Sequence, residues 1–92
     1  MKGNTITEFI ESLHSNCDKE LVYQGRRYLL QGWINNDKSY SLRMCEITEN
    51  YPTVFFSNNY DRAACVAEFE NAELFDGKSI YEAENDITVL YD

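Results

Sequence analysis

The first apolar stripe of the chain has helical spacing: Ile6, Phe9, Ile10 and Leu13 fall at i, i+3, i+4 and i+7. Thr5 and Glu8 open it with the S/T-x-x-E spacing of a capping box, in which the hydroxyl serves a first-turn amide and the carboxylate reaches back. Ser15-Asn16 supplies a stop. The period then switches from 3.6 to 2. Leu21-Val22-Tyr23, a tight turn at Gln24-Gly25 and residues 27–34 predict an antiparallel hairpin. In its second strand Tyr28, Leu30 and Ile34 share one face, and Leu29, Gln31 and Trp33 share the other. Gly32 marks a bulge or a close backbone approach.

Asn35-Asn36-Asp37-Lys38 is turn chemistry, and residues 40–47 predict a third strand with Tyr40, Leu42 and Met44 opposed to Ser41, Arg43 and Cys45. Tyr51-Pro52 breaks it, and residues 53–56 form a short fourth strand. Ser57-Asn58-Asn59 offers caps for a helix over residues 60–71, with Ala63, Ala64, Val66, Ala67 and Phe69 as its apolar side. Phe75-Asp76-Gly77 is a turn. Ser79 and Glu82 repeat the capping-box spacing ahead of a helical turn, and residues 87–91 are β-branched and aromatic, a last strand. Consecutive strands usually pair, so a meander is the simplest topology. The expectation is a single α+β domain over residues 1–92: an N-terminal helix, a three- to four-stranded antiparallel meander, one longer and one short helix, and a C-terminal strand. The helices should cover one sheet face through Phe9, Ile10, Leu13, Val66 and Phe69.

Composition narrows the class. A 43% hydrophobic fraction with 14% aromatics can build a core, which excludes disorder despite the acidity. No apolar run approaches the ~20 residues of a membrane span, and residues 1–8 lack the apolar stretch of a signal peptide. A cytoplasmic location is the default expectation. Three widely spaced cysteines (Cys17, Cys45, Cys65) fit reduced thiols better than a disulfide framework or a zinc site.

Charge is lopsided. Residues 1–46 carry six acids against six bases, whereas residues 47–92 carry ten acids against only Arg62 and Lys78, which accounts for the whole net charge of −8. Such a field governs steering and partner choice, and it specifies neither a fold nor a reaction. The fragments that resemble chemistry fall short of it. Gly77-Lys78-Ser79 lacks the P-loop's first glycine, because Ala72 stands there. Counting a calcium loop from Glu82 puts Ile87 where glycine is required. His14 is the only histidine. Arg26 and Arg27 are too few for a nucleic-acid interface in so acidic a chain, and fit an intramolecular role instead: neutralising part of the acidic half. No cofactor, metal or enzymatic activity is expected.

The closing stretch from Phe75 through Asp76-Gly77-Lys78-Ser79-Ile80-Tyr81-Glu82-Ala83-Glu84 and Asp86 to Tyr91, together with Gly32-Trp33, resembles small acidic proteins of Gram-positive gut bacteria and their mobile elements. That resemblance implies no activity and no site residues. In size, acidity and helix–meander–helix order the chain is also similar to phage-encoded inhibitors that imitate DNA, including certain anti-CRISPR proteins.

The leading functional expectation is a non-enzymatic protein-binding module. Its acidic C-terminal half would dock a basic protein surface, with imitation of nucleic-acid phosphates as one form of this, through Glu68, Glu70, Glu73, Asp76, Glu82, Glu84 and Asp86. The alternative is a homo-oligomeric structural subunit, a homodimer through the sheet with Tyr23, Leu29, Trp33 and Phe55 partly exposed, and with the acids serving solubility alone. Direct binding of nucleic acid or membrane is not expected.

Overall fold

The computed structural model describes residues 1–14 and 18–91 and shows a two-layer α+β architecture. Helix α1 (Ile6–Ser12) is followed by strands β1 (Lys19–Tyr23), β2 (Arg26–Ile34), β3 (Tyr40–Glu46) and β4 (Thr53–Asn59). Helix α2 (Arg62–Asn71), a 3-10 turn at Glu84–Asp86 and strand β5 (Ile87–Tyr91) complete the chain. The expected four-strand meander is present. The last strand joins it, so the sheet has five strands, all antiparallel, in the order β4-β3-β2-β1-β5.

Local chemistry explains the elements. Thr5 is the N-cap of α1, its Oγ1 accepting from the Glu8 amide at 3.1 Å while donating to Glu8 Oε1 at 2.8 Å. The predicted stop at Ser15-Asn16 lies outside the described residues. The β1–β2 turn places Gln24 at φ 52° and Gly25 at φ 76°, the type I′ pattern whose twist matches the flanking strands. Gly32 is a close approach and not a bulge. The Tyr40 hydroxyl lies 1.8 Å from where a Cβ on Gly32 would sit, so the ring lies against bare backbone.

Helix α2 starts later than its sequence suggests. Ser57-Asn58-Asn59 continues β4, and the cap is Asp61, whose side chain accepts from the Ala63 amide. The buried side of α2 is Cys65, Val66 and Phe69, whereas Ala63 and Ala67 face solvent. The alanines misled because small side chains suit either side of a helix. Ser79 and Glu82 do form a reciprocal box (3.0 and 3.3 Å), but it opens one helical turn, and the short 3-10 helix begins only at Glu84.

The core lies between the layers. Leu21, Tyr23, Tyr28, Leu30, Tyr40, Leu42, Met44, Ile87 and Val89 point from the sheet toward Phe9, Leu13, Val66, Phe69, Phe75, Ile80 and Ala83. Ile10 packs at its margin. Phe75 stands edge-on to both Tyr23 (5.3 Å) and Tyr28 (6.0 Å), which pins residues 72–86 over the β1–β2 end of the sheet. Among the described residues no helix is long and apolar enough to cross a membrane.

Candidate functional site

The fold turns a lopsided sequence into a lopsided molecule. The layer that covers the core, residues 5–14 and 61–86, carries Glu8, Glu11, Asp61, Glu68, Glu70, Glu73, Asp76, Glu82, Glu84 and Asp86 against Arg62 and Lys78. The strands and turns of residues 18–59 carry five acids (Asp18, Glu20, Asp37, Glu46, Glu49) and five bases (Lys19, Arg26, Arg27, Lys38, Arg43). Ten acids against two bases is −8, and five against five is zero. The surplus charge is therefore a property of one layer, to which α1 from the balanced half adds two carboxylates. An electric field of this kind has a direction, and a uniformly acidic surface would not.

The seven acids singled out from the sequence all lie on that layer, but they are not equivalent. Asp76 binds Arg26 across 2.8 Å, and this hydrogen bond to a guanidinium holds its carboxyl below the usual range. The hairpin tip thus neutralises one of them, while Arg27 turns instead to Glu20. Glu82 is occupied by the Ser79 amide. Glu70 accepts from the Tyr81 hydroxyl at 2.9 Å and so ties α2 to the turn beyond it. The carboxylates of Glu68, Glu73, Glu84 and Asp86 make no hydrogen bond or ion pair with any described residue. Those four have no structural task. The capping-box spacing of Ser79 and Glu82 marks the commitment of Glu82 in the sequence, whereas Glu70 and Asp76 are held by partners that only tertiary structure brings near.

Among the described residues no helix covers the opposite face of the sheet. Pairing puts Val22, Arg27, Leu29, Gln31, Trp33, Ser41, Arg43, Cys45, Phe56 and Asn58 on it. Its charges are held in place: Arg27 by Glu20, and Arg43 by Thr53 Oγ1 at 2.8 Å. Two of the side chains expected on the face of a sheet-mediated dimer lie on the other face. Tyr23 is buried in the core, and Phe55 packs edge-on against Phe69 at 5.6 Å. Both follow from face parity, since Tyr23 alternates in phase with Leu21, and Phe55 pairs with core-facing Met44.

At one end of this face an open groove of about 570 Å³ is walled by Trp33 and Phe56, whose ring centroids are 6.4 Å apart. Its floor is an amide–hydroxyl network. Asn35 Nδ2 and Asn58 Nδ2 each donate to Ser39 Oγ and Ser41 Oγ over 2.8–3.1 Å, and Ser39 donates to Asp37 Oδ1 at 2.6 Å. That last bond depresses the Asp37 carboxyl, and the same carboxylate raises the Tyr60 hydroxyl that donates to it. No sequence signal marked the groove, because its residues come from β2, the following turn, β3 and β4.

Cys45 and Cys65 are buried, with their thiols directed at the Leu29 and Tyr40 carbonyls. Cys17 lies outside the described residues. His14 is exposed just beyond α1, and its carbonyl accepts from Arg62. Gly77-Lys78-Ser79 forms part of a tight turn closed by paired Phe75 and Lys78 backbone bonds of 3.0 Å. Among the described residues no cluster of His, Cys, Asp or Glu could hold a metal ion. Comparison with protein-family models, curated proteins and solved structures returns no match for this chain.

Proposed function

We propose that the protein is a non-enzymatic binding module, working in the cytoplasm, that uses the outer surface of its helical layer to dock a basic surface on another protein. The observation that supports this reading is the segregation of charge by layer, with −8 over the helices and their connections and zero over the strands. Glu68, Glu73, Glu84 and Asp86 carry the docking, because their carboxylates are uncommitted. Glu70, Asp76 and Glu82 add to the field while bracing the layer. Steering by a one-sided field raises the association rate and orients the encounter, and salt weakens it. Imitation of nucleic-acid phosphates is one form this docking takes.

Affinity capture from native cytosol tests the reading with three baits: wild type, a variant with Glu68, Glu73, Glu84 and Asp86 changed to Gln, and a relocated variant. The relocated variant adds four acids to the uncovered sheet face of the Gln variant, restoring the net charge. The proposal requires basic proteins that bind wild type, leave at high salt, and ignore both variants. Capture by the relocated bait would show that net charge suffices and would remove the proposal.

A second reading, self-association through the uncovered sheet face, draws on exposed Trp33, Phe56 and Leu90. A salt-insensitive dimer in light scattering would favour it.

A further inference from the structure

The two edges of the sheet are treated differently. At β5 the segment Met1-Lys2-Gly3 closes the edge: the Lys2 amide donates to the Ile87 carbonyl at 3.0 Å, and the Val89 amide donates to the Lys2 carbonyl at 2.8 Å. Gly3 permits this contact, since a Cβ there would come within 2.2 Å of the Val89 carbonyl oxygen.

At β4 no described residue closes the edge. Bonds from the Asn35 amide to the Ser39 carbonyl and from the Ile47 amide to the Arg27 carbonyl, both 2.8 Å, commit the odd-numbered residues of β3 to β2. Even-numbered β3 residues therefore serve β4, through the pairs Tyr40–Asn59, Leu42–Ser57 and Met44–Phe55. The amides and carbonyls of Phe56 and Asn58 are left pointing outward. Natural sheets blunt such edges with charges, prolines or a covering segment. Residues 53–59 contain no charged side chain and no proline.

We propose that the β4 edge accepts an extended, basic segment of a partner protein as a sixth strand; this rests on the docking reading above and gives the partner a conformation. Charge complementarity selects that occupant over a second copy. An antiparallel β4–β4 pair related by a twofold axis would place both helical layers on the same side, bringing two surfaces of like charge together. A segment of alternating apolar and basic residues fits both environments. Its apolar side chains would lie on the uncovered face beside Phe56, and its basic ones on the side of α2, which packs over β3 and β4 and whose Glu68, Glu70 and cap residue Asp61 outnumber Arg62.

The probe is an octapeptide of alternating Val and Lys. Controls are a block peptide with four Val followed by four Lys, and the alternating peptide N-methylated throughout. With wild-type protein, the alternating peptide is expected to slow amide exchange at Phe56 and Asn58 and to bind on the order of tenfold more tightly than either control. Equal affinity of the N-methylated peptide, or protection that spares Phe56 and Asn58, would overturn the inference. So would concentration-dependent protection of these two amides without peptide, which would make a second copy the occupant. Salt-sensitive binding of the block peptide to the helical layer in any of those cases would leave the docking reading standing while the edge inference falls.

Discussion

Replacing Gly32 by Ala puts a methyl group where the Tyr40 ring already lies, with the hydroxyl at 1.8 Å and Cζ at 2.7 Å from the new Cβ. The backbone of β2 sits between β1 and β3 and cannot yield easily, so Tyr40 must swing away. Overpacking of this kind costs about 1–3 kcal/mol. The displaced ring also loses its hydroxyl's contact with the Leu13 carbonyl (3.5 Å), worth roughly 0.5–1 kcal/mol. Its stacking under the Arg62 guanidinium, 4.5 Å from the ring centroid, is worth about another 0.5–1 kcal/mol. Alanine's better strand entropy returns about 0.5–1 kcal/mol. The net expectation is a loss of about 1.5–4 kcal/mol, a large share of the ~5–15 kcal/mol typical of a domain. Equilibrium urea unfolding reads this as a midpoint lowered by roughly 1–2 M. The decisive control is the double-mutant cycle with Tyr40→Ala, in which the methyl meets empty space and Gly32→Ala becomes neutral or stabilising. A Gly32→Ala variant within about 0.5 kcal/mol of wild type, or one equally costly in the Tyr40→Ala background, would refute the reasoning.

Gln24 occupies a left-handed position without glycine's freedom, so Gln24→Asn is expected to stabilise by about 0.5–1 kcal/mol in the same assay, and Gln24→Val to destabilise. Asp76 has a folded pKa below its unfolded value because Arg26 binds the carboxylate. The stability it confers is therefore complete above the ordinary aspartate pKa of about 3.9 and is lost as pH falls through the lower folded value. Arg26→Ala should accordingly raise the Asp76 titration midpoint seen by NMR and shallow the acid limb of the stability profile; an unmoved midpoint would contradict the pairing. Cys45 and Cys65 should react slowly with a thiol reagent in native buffer and rapidly in urea. Fast native modification of Cys65 would mean that the core opens.

Much of the architecture is legible in the residues because local signals agree with the global pattern. The Thr5–Glu8 box and the Ile6-to-Leu13 spacing specify α1, and Gln24-Gly25 specifies the hairpin turn. The alternation around Tyr40, Leu42 and Met44 assigns both faces of β3. What escapes is what depends on partners distant in sequence. The pairing of β5 with β1 is one such case. Another is the facing of Phe55, which points inward because it pairs with Met44. A third is the α2 boundary, where the β3–β4 pairing draws Ser57-Asn58-Asn59 into β4 and leaves Asp61 as the cap. The acidic surplus was visible as a count. Its gathering onto one layer was not, since that required α1 and residues 61–86 to share a face of the sheet.

The central claim is that this layer is a directional anionic surface, and an NMR amide-shift map with a lysine octapeptide tests it most directly. At low ionic strength the account predicts shifts confined to residues 5–14 and 61–86, fading at about 0.15 M salt, where screening acts over ~8 Å, and abolished when Glu68, Glu73, Glu84 and Asp86 become Gln. Shifts spread evenly over the strands, or a map unchanged by salt and by those four substitutions, would contradict it.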